Sequence, residues 1–152
     1  MAYFGFTENY FSGKPIRIFN NHDFANDLYR DFTYIDDIVE GIERLLSNPP
    51  AEERTVPHKV FNIGNNSPEK LMVFIQTLEQ CLSNSLGREV LFQKIFEPIK
   101  PGDVPATYAS TELLEKAIQF KPKTSIEEGL QKFTDWYCEY YRDEIVKELE
   151  VG

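Results

Sequence analysis

Arg30, Lys100 and Asp103 are the side chains whose chemistry is most suggestive. A guanidinium is a planar fork of donors that matches paired phosphate oxygens. The competing account of Arg30 is an ordinary ion pair, with Asp27 or Asp31 in reach. Asp103 follows Gly102, so a turn can aim its carboxylate at a diol, or let it cap local N–H groups. Lys100 offers a point charge rather than a fork. Asp36 and Asp37 are adjacent carboxylates, but a helix N-cap followed by first-turn charge explains them more simply. His22 and His58 have no neighbouring ligand pattern and read as surface residues. Cys81 and Cys138 lie far apart, without a CxxC, and read as thiols on buried helix faces rather than a zinc site or disulfide framework.

The elements that must position these residues follow from periodicity. Tyr3, Phe4, Phe6, Tyr10 and Phe11 predict an amphipathic helix stopped near Gly13. Ile16–Phe19 reads as a short strand, Asn20–Leu28 as a loop and Arg30–Ile35 as a second strand. Asp36 or Asp37 then caps a helix with Ile38, Val39, Ile42, Leu45 and Leu46 on one side, ended by Asn48-Pro49-Pro50. Pro49–Pro57 is a charged loop and Lys59–Ile63 an apolar strand. Ser67 and Pro68 are expected to open a helix buried through Leu71, Phe74, Ile75, Leu78 and Leu82, with Gly87 as C-cap. Glu89–Ile95 reads as a strand and Glu97–Ala106 as a Pro-rich loop. Ser110 starts a short helix with Leu113, Leu114, Ala117 and Ile118. Thr124-Ser125-Ile126-Glu127 is a capping box opening a last helix whose stripe is Ile126, Leu130, Phe133, Trp136, Tyr137 and Tyr140. The expected architecture is one α/β domain over 1–152, with a small mixed sheet, several helices and a charged tail over 142–152.

The chain has 152 residues, 41% hydrophobic, with a formal net charge of −9. That length supports a real core. The acidic balance argues against a nucleic-acid partner, which needs a basic face. No apolar run is long enough to cross a bilayer and no signal peptide is evident, so a cytoplasmic location is expected.

Four segments in order carry a resemblance: Arg30-Asp31-Phe32-Thr33-Tyr34-Ile35-Asp36-Asp37, Val60-Phe61-Asn62-Ile63-Gly64, Lys100-Pro101-Gly102-Asp103, and Phe120-Lys121-Pro122-Lys123-Thr124-Ser125 with Glu127, Glu128 and Gly129. Together they resemble the C-terminal, substrate-binding part of extended short-chain dehydrogenase/reductases that act on nucleotide sugars (the NAD-dependent epimerase/dehydratase family). Met1-Ala2-Tyr3-Phe4 and Pro101–Tyr108 look most like the UDP-glucuronate 4-epimerases among them. The resemblance runs from Met1 to about Tyr141. It implies a UDP-sugar ligand, UDP-glucuronate or UDP-galacturonate. It assigns Arg30 and Lys100 to the diphosphate, Asp103 to the ribose, Arg17, Phe19 and Leu71 to the uridine, and Thr107 to the sugar. Leu71 taken alone reads as helix-face core, and Thr107 as a turn residue.

The same comparison marks what is expected to be missing. No glycine-rich strand-to-helix turn is present, so no NAD site is expected here, although the presumed parent uses NAD. The family's catalytic Tyr-x-x-x-Lys is expected to be absent too: four positions beyond Tyr29, Tyr34, Tyr137, Tyr140 and Tyr141 stand Thr33, Ile38, Tyr141, Glu144 and Ile145. The resemblance matches Met1 to an internal methionine, so the chain reads as a fragment lacking an N-terminal Rossmann domain and is expected to be inactive alone. Two alternatives stay open: a stand-alone binding or interaction module, homodimeric through exposed apolar faces, and part of a related dehydratase, decarboxylase or reductase.

Overall fold

The computed structural model describes residues 2–20, 23, 27–49 and 58–151. In chain order the elements are α1 Ala2–Phe11, β1 Ile16–Ile18, β2 Tyr29–Asp31, α2 Ile35–Ser47, β3 Pro68–Lys70, α3 Leu71–Leu86, β4 Lys94–Phe96, β5 Ala106–Thr107, α4 Glu112–Ile118, α5 Ile126–Tyr140 and α6 Arg142–Val151. The fold is α/β, with two small sheets: β1-β4, and β3-β2-β5. The chain divides into two compact units, one of Met1–Leu28, Lys70–Pro105 and Glu127–Gly152, the other of Tyr29–Glu69 and Ala106–Ile126. His22 and most of the loops expected at Asn20–Leu28 and Pro49–Pro57 lie outside the described residues.

The first unit is built on α3. Phe74, Ile75, Leu78, Cys81 and Leu82 are buried at the spacing of one helical face. Leu71 is only half-buried. Gly87 ends the helix at φ 66°, as expected for a left-handed C-cap. The start of α3 departs from expectation. Pro68–Lys70 is a strand, and Ser67 caps nothing there. Instead the Leu71 N–H donates to the Leu28 carbonyl at 2.8 Å, and the Met72 N–H to Asp27 Oδ2 at 2.8 Å. A carboxylate 45 residues upstream does the work of a local cap.

β1 and β4 pair in parallel, Ile16 opposite Lys94 and Ile18 opposite Phe96. Ile16 and Ile18 are buried while Arg17 faces out, the alternation of a strand covered on one side. The strand expected over Glu89–Ile95 begins only at Lys94. Its upstream donors are taken by α3 side chains: the Val90 N–H by Ser83 Oγ at 2.9 Å and the Phe92 N–H by Glu79 Oε1 at 2.7 Å. Buried Glu79 also pairs with the Lys94 ammonium. α1 packs its rings on α5, with Tyr3 edge-on to Phe133 at 4.7 Å between centroids and Phe11 stacked on Tyr137 at 5.7 Å. Leu130 and Tyr137 of the expected α5 stripe are buried, but Trp136 and Tyr140 stack on each other in solvent. α5 starts at Ile126, which puts Ser125 rather than Thr124 before its first residue.

In the second unit β2 lies between β3 and β5 and runs parallel to β5. β2 ends at Asp31, shorter than the strand expected to Ile35. Tyr34 occupies the N-cap of α2 without a side-chain capping hydrogen bond, so Asp36 and Asp37 stand in the first turn rather than at the cap. Lys59–Ile63 forms no strand. From Val60 to Ile63 its side chains alternate exposed and half-buried like an extended chain, and Phe61 and Ile63 pack with Leu45 against Leu114, Ile118 and Phe120. α2 crosses close to this segment, for a Cβ on Gly41 would meet Ile63 and Phe120 at 3.3 Å. α4 begins at Glu112 after Thr111, later than Ser110, and Leu113 is exposed. The apolar face expected on α2 is split. Leu45 packs inward, while Ile35, Val39, Ile42 and Leu46 form a separate exposed stripe.

Candidate functional site

The carboxyl ends of β1 and β4 lie side by side in the first unit, the position where parallel α/β sheets present their ligands. Four of the expected binding residues gather on the segments leaving those ends. Arg17 sits on the outward face of β1, its Nη1 3.4 Å from Glu97 Oε1. Phe19 follows β1 and is half-buried. The Lys100 ammonium lies 4.1 Å from the centroid of the Phe19 ring. Lys100-Pro101-Gly102-Asp103 closes as a β-turn, with the Asp103 N–H donating to the Lys100 carbonyl at 3.1 Å and Gly102 at φ 94°. Proline then glycine at the two central positions is the chemistry of a type II turn, which needs a positive φ at the second. Such a turn holds its first and fourth residues close, here an exposed cation and an exposed carboxylate.

Leu71 is the first residue of α3 in this unit, and its fixed entry comes from Asp27. One Asp27 oxygen takes the Met72 N–H, and the other takes the Leu28 N–H at 2.9 Å and the Asn20 amide at 3.3 Å. Sequence reasoning missed Asp27 and Glu97. A charged residue inside a loop-like stretch gives no sign of a cap so distant, although the contact of Arg17 with Glu97, two residues beyond its register partner Ile95, follows once β1 and β4 are paired.

Arg30 and Thr107 lie in the second unit, opposite each other in the β2–β5 register. Arg30 is half-buried and its Nη1 donates to the Tyr29 carbonyl at 2.7 Å; Thr107 is exposed. The rest of the Arg30–Asp37 motif holds the unit together. Asp31 accepts the N–H groups of Asn66 at 3.0 Å and Ser67 at 3.4 Å, and Thr33 Oγ1 accepts that of Asn65 at 3.2 Å. Buried Asp37 accepts the Thr124 N–H at 3.0 Å. The first motif is thus bonded to the turn after the second and to the fourth. The Asp36/Asp37 pair does structural work through Asp37.

One sequence expectation needs correcting. Tyr10 and Lys14 do have the Tyr-x-x-x-Lys spacing. They do not have its geometry: α1 ends at Phe11, Gly13 turns left-handed at φ 65°, and the Lys14 N–H closes back on the Asn9 carbonyl at 2.7 Å. The two side chains therefore do not share a continuous helical face, which is what lets a lysine four residues on act on a tyrosine. The Tyr10 ring packs between Phe11 and Phe92.

β2 leads to α2 through Phe32, Thr33 and Tyr34, β3 runs directly into α3, and β5 reaches α4 through residues 108–111 without glycine. Among the described residues no group of histidine, cysteine and carboxylate side chains could hold a metal ion. Both cysteines are free, and burial, reinforced by Glu127 and Asp135, pushes the Cys81 thiol up to about 11. Burial first and Asp135 second raise Cys138. Neither is an activated nucleophile.

The chain is 42% identical to the Staphylococcus aureus protein CapI, covering 93% of this chain and 43% of that protein. It is 38% identical to UDP-glucuronate 4-epimerase 1 of Arabidopsis thaliana, over 93% of this chain and 33% of the relative. The crystal structure of UDP-glucuronic acid 4-epimerase from Bacillus cereus, in complex with UDP-glucuronic acid and NAD, superposes with a TM-score of 0.71 at 26% identity, over 93% of this chain and 40% of that one. The chain is a homologue of the extended short-chain dehydrogenase/reductase epimerases. It spans less than half the length of the curated relatives it matches. No protein-family model matches it. Within this epimerase homologue the four-motif resemblance has a physical basis: the first segment is hydrogen-bonded to the fourth and to the turn that follows the second. No helix among the described residues is long and apolar enough to cross a membrane.

Proposed function

We propose that this chain is the UDP-sugar-binding C-terminal part of an NAD-dependent nucleotide-sugar epimerase of the UDP-glucuronate 4-epimerase kind, inactive in catalysis by itself. The observation that carries the reading is the Lys100–Asp103 turn beside the carboxyl ends of β1 and β4. It presents a cation for phosphate and a carboxylate for a ribose diol on one rigid support. The backbone of Phe19 is at hand for the edge of a uracil, with Arg17 and Leu71 in the same unit. Arg30 and Thr107 keep the diphosphate and sugar roles that the resemblance assigns, as separate claims tested in the second unit. NAD, held elsewhere in such an enzyme, supplies the hydride chemistry. The residues here bind and orient, so that binding energy fixes the sugar for reaction.

Calorimetric titration with UDP, UDP-glucuronate and UDP-galacturonate tests this. Binding of all three is expected, weakened by Asp103→Asn and by Arg30→Ala, with no epimerisation when NAD is added. No heat with any of them sinks the reading. Turnover by the chain alone sinks the claim of inactivity.

A second reading rests on α2. Ile35, Val39, Ile42 and Leu46 recur at a spacing of four, three and four on an exposed helix face, the pattern of a face made to be covered. The covering body is the Rossmann domain of such an epimerase. A second copy of this chain is the alternative, and a stand-alone interaction module follows if neither nucleotide nor Rossmann domain binds.

A further inference from the structure

We propose that Phe19 is a positioning residue for Lys100, and that their contact gives the chain its preference for a nucleoside diphosphate over the bare nucleoside. The inference rests on the nucleotide-binding reading above and deepens it. Two cations stand on this edge of the first unit, and they are held in opposite ways. The guanidinium of Arg17, largely exposed, faces a carboxylate, Glu97, at 3.4 Å, so its nearest partner within the protein carries the opposite charge. The Lys100 ammonium faces the ring of Phe19 at 4.1 Å. A ring face attracts a cation through its quadrupole yet carries no net charge. Lys100 is therefore held without being neutralised, and its N–H groups directed away from the ring stay available to phosphate oxygens.

The arrangement has a mechanical basis. A lysine on an exposed turn has four rotatable bonds, and ordering them on ligand binding costs entropy. Phe19 is anchored one residue beyond buried Ile18, and the turn holds the Lys100 carbonyl through the Asp103 N–H. Ring and turn together order the ammonium before any ligand arrives. In a protein of net charge −9, such a placed and unneutralised cation is what an anionic ligand needs. The role belongs to the Phe19 ring, while its backbone remains free for the base.

The test uses the full 152-residue chain, titrated with uridine, UMP and UDP, and the variants Phe19→Leu, Lys100→Met and the double variant. Phe19→Leu is expected to weaken UDP about two- to fivefold and to leave uridine unchanged. Lys100→Met is expected to weaken UDP further, and adding Phe19→Leu to it to change nothing more. The ε-methylene protons of Lys100 should show an upfield ring-current shift in the native chain that Phe19→Leu abolishes. Equal weakening of uridine and UDP by Phe19→Leu, additive losses in the double variant, or no ring-current shift each overturns the proposal. A native chain that shows the shift but binds no UDP overturns the nucleotide reading instead, so the two failures are distinguishable.

Discussion

Asp103 and Cys81 illustrate opposite uses of a titratable side chain. Asp103 is exposed at the end of a turn, where its carboxylate can accept from two hydroxyls. Asp103→Asn, nearly the same shape, is expected to lower UDP affinity about tenfold, the loss of one charge-assisted hydrogen bond, as read by calorimetry. Cys81 is fully buried on α3, and its thiol is raised from 9.0 to about 11. The neutral thiol is the form the fold tolerates. Its contribution is complete below the unfolded value near 9 and is lost as pH rises toward about 11, a span worth about 2–3 kcal/mol. Denaturant midpoints measured from pH 8 to 11 should therefore fall in the native chain and fall less in Cys81→Ala. Equal slopes would refute it.

Helices were more legible than strands, for a definite reason. The face Phe74, Ile75, Leu78, Leu82 and the Gly87 stop are local patterns, and α3 follows them. Its beginning is not local, because Asp27 supplies the cap. Asp27→Ala removes acceptors from the Met72 and Leu28 N–H groups and from Asn20 at a buried site, and should cost about 2–3 kcal/mol in chemical denaturation. An effect below 0.5 kcal/mol would show that water replaces the carboxylate. Glu89–Ile95 reads as a strand, and in the structure Val90 and Phe92 are buried with Leu91 exposed. Alternation records extended backbone and says nothing of where its N–H groups donate, and here they meet Glu79 and Ser83. The Tyr10–Lys14 spacing misleads in the same manner, since only the helix end at Phe11 separates the pair. The Lys100–Asp103 turn was legible because Pro-Gly dictates it, whereas the Phe19–Lys100 contact needs the β1–β4 pairing to be known.

At the scale of the molecule, two compact units divide the tasks. The first carries Arg17, Phe19, Leu71, Lys100 and Asp103, and the second carries Arg30, Thr107 and the exposed α2 stripe. Replacing Ile42 and Leu46 by glutamate should leave the second unit folded, because both side chains are exposed. The same change should abolish self-association in light scattering and the fluorescence of a dye that reports apolar surface. Dye binding unchanged in that variant would move the patch away from α2. The hydrogen bonds of Asp31, Thr33 and Asp37 have a different bearing, one that concerns descent. The side chains that make the first motif recognisable spend themselves on Asn65, Asn66, Ser67 and Thr124. A protein can keep them for its own cohesion with no reaction left to run. Likeness at Asp31, Thr33 and Asp37 therefore measures ancestry, and a search for lost or altered chemistry among such sequences should look at Arg30 and the Lys100–Asp103 turn instead.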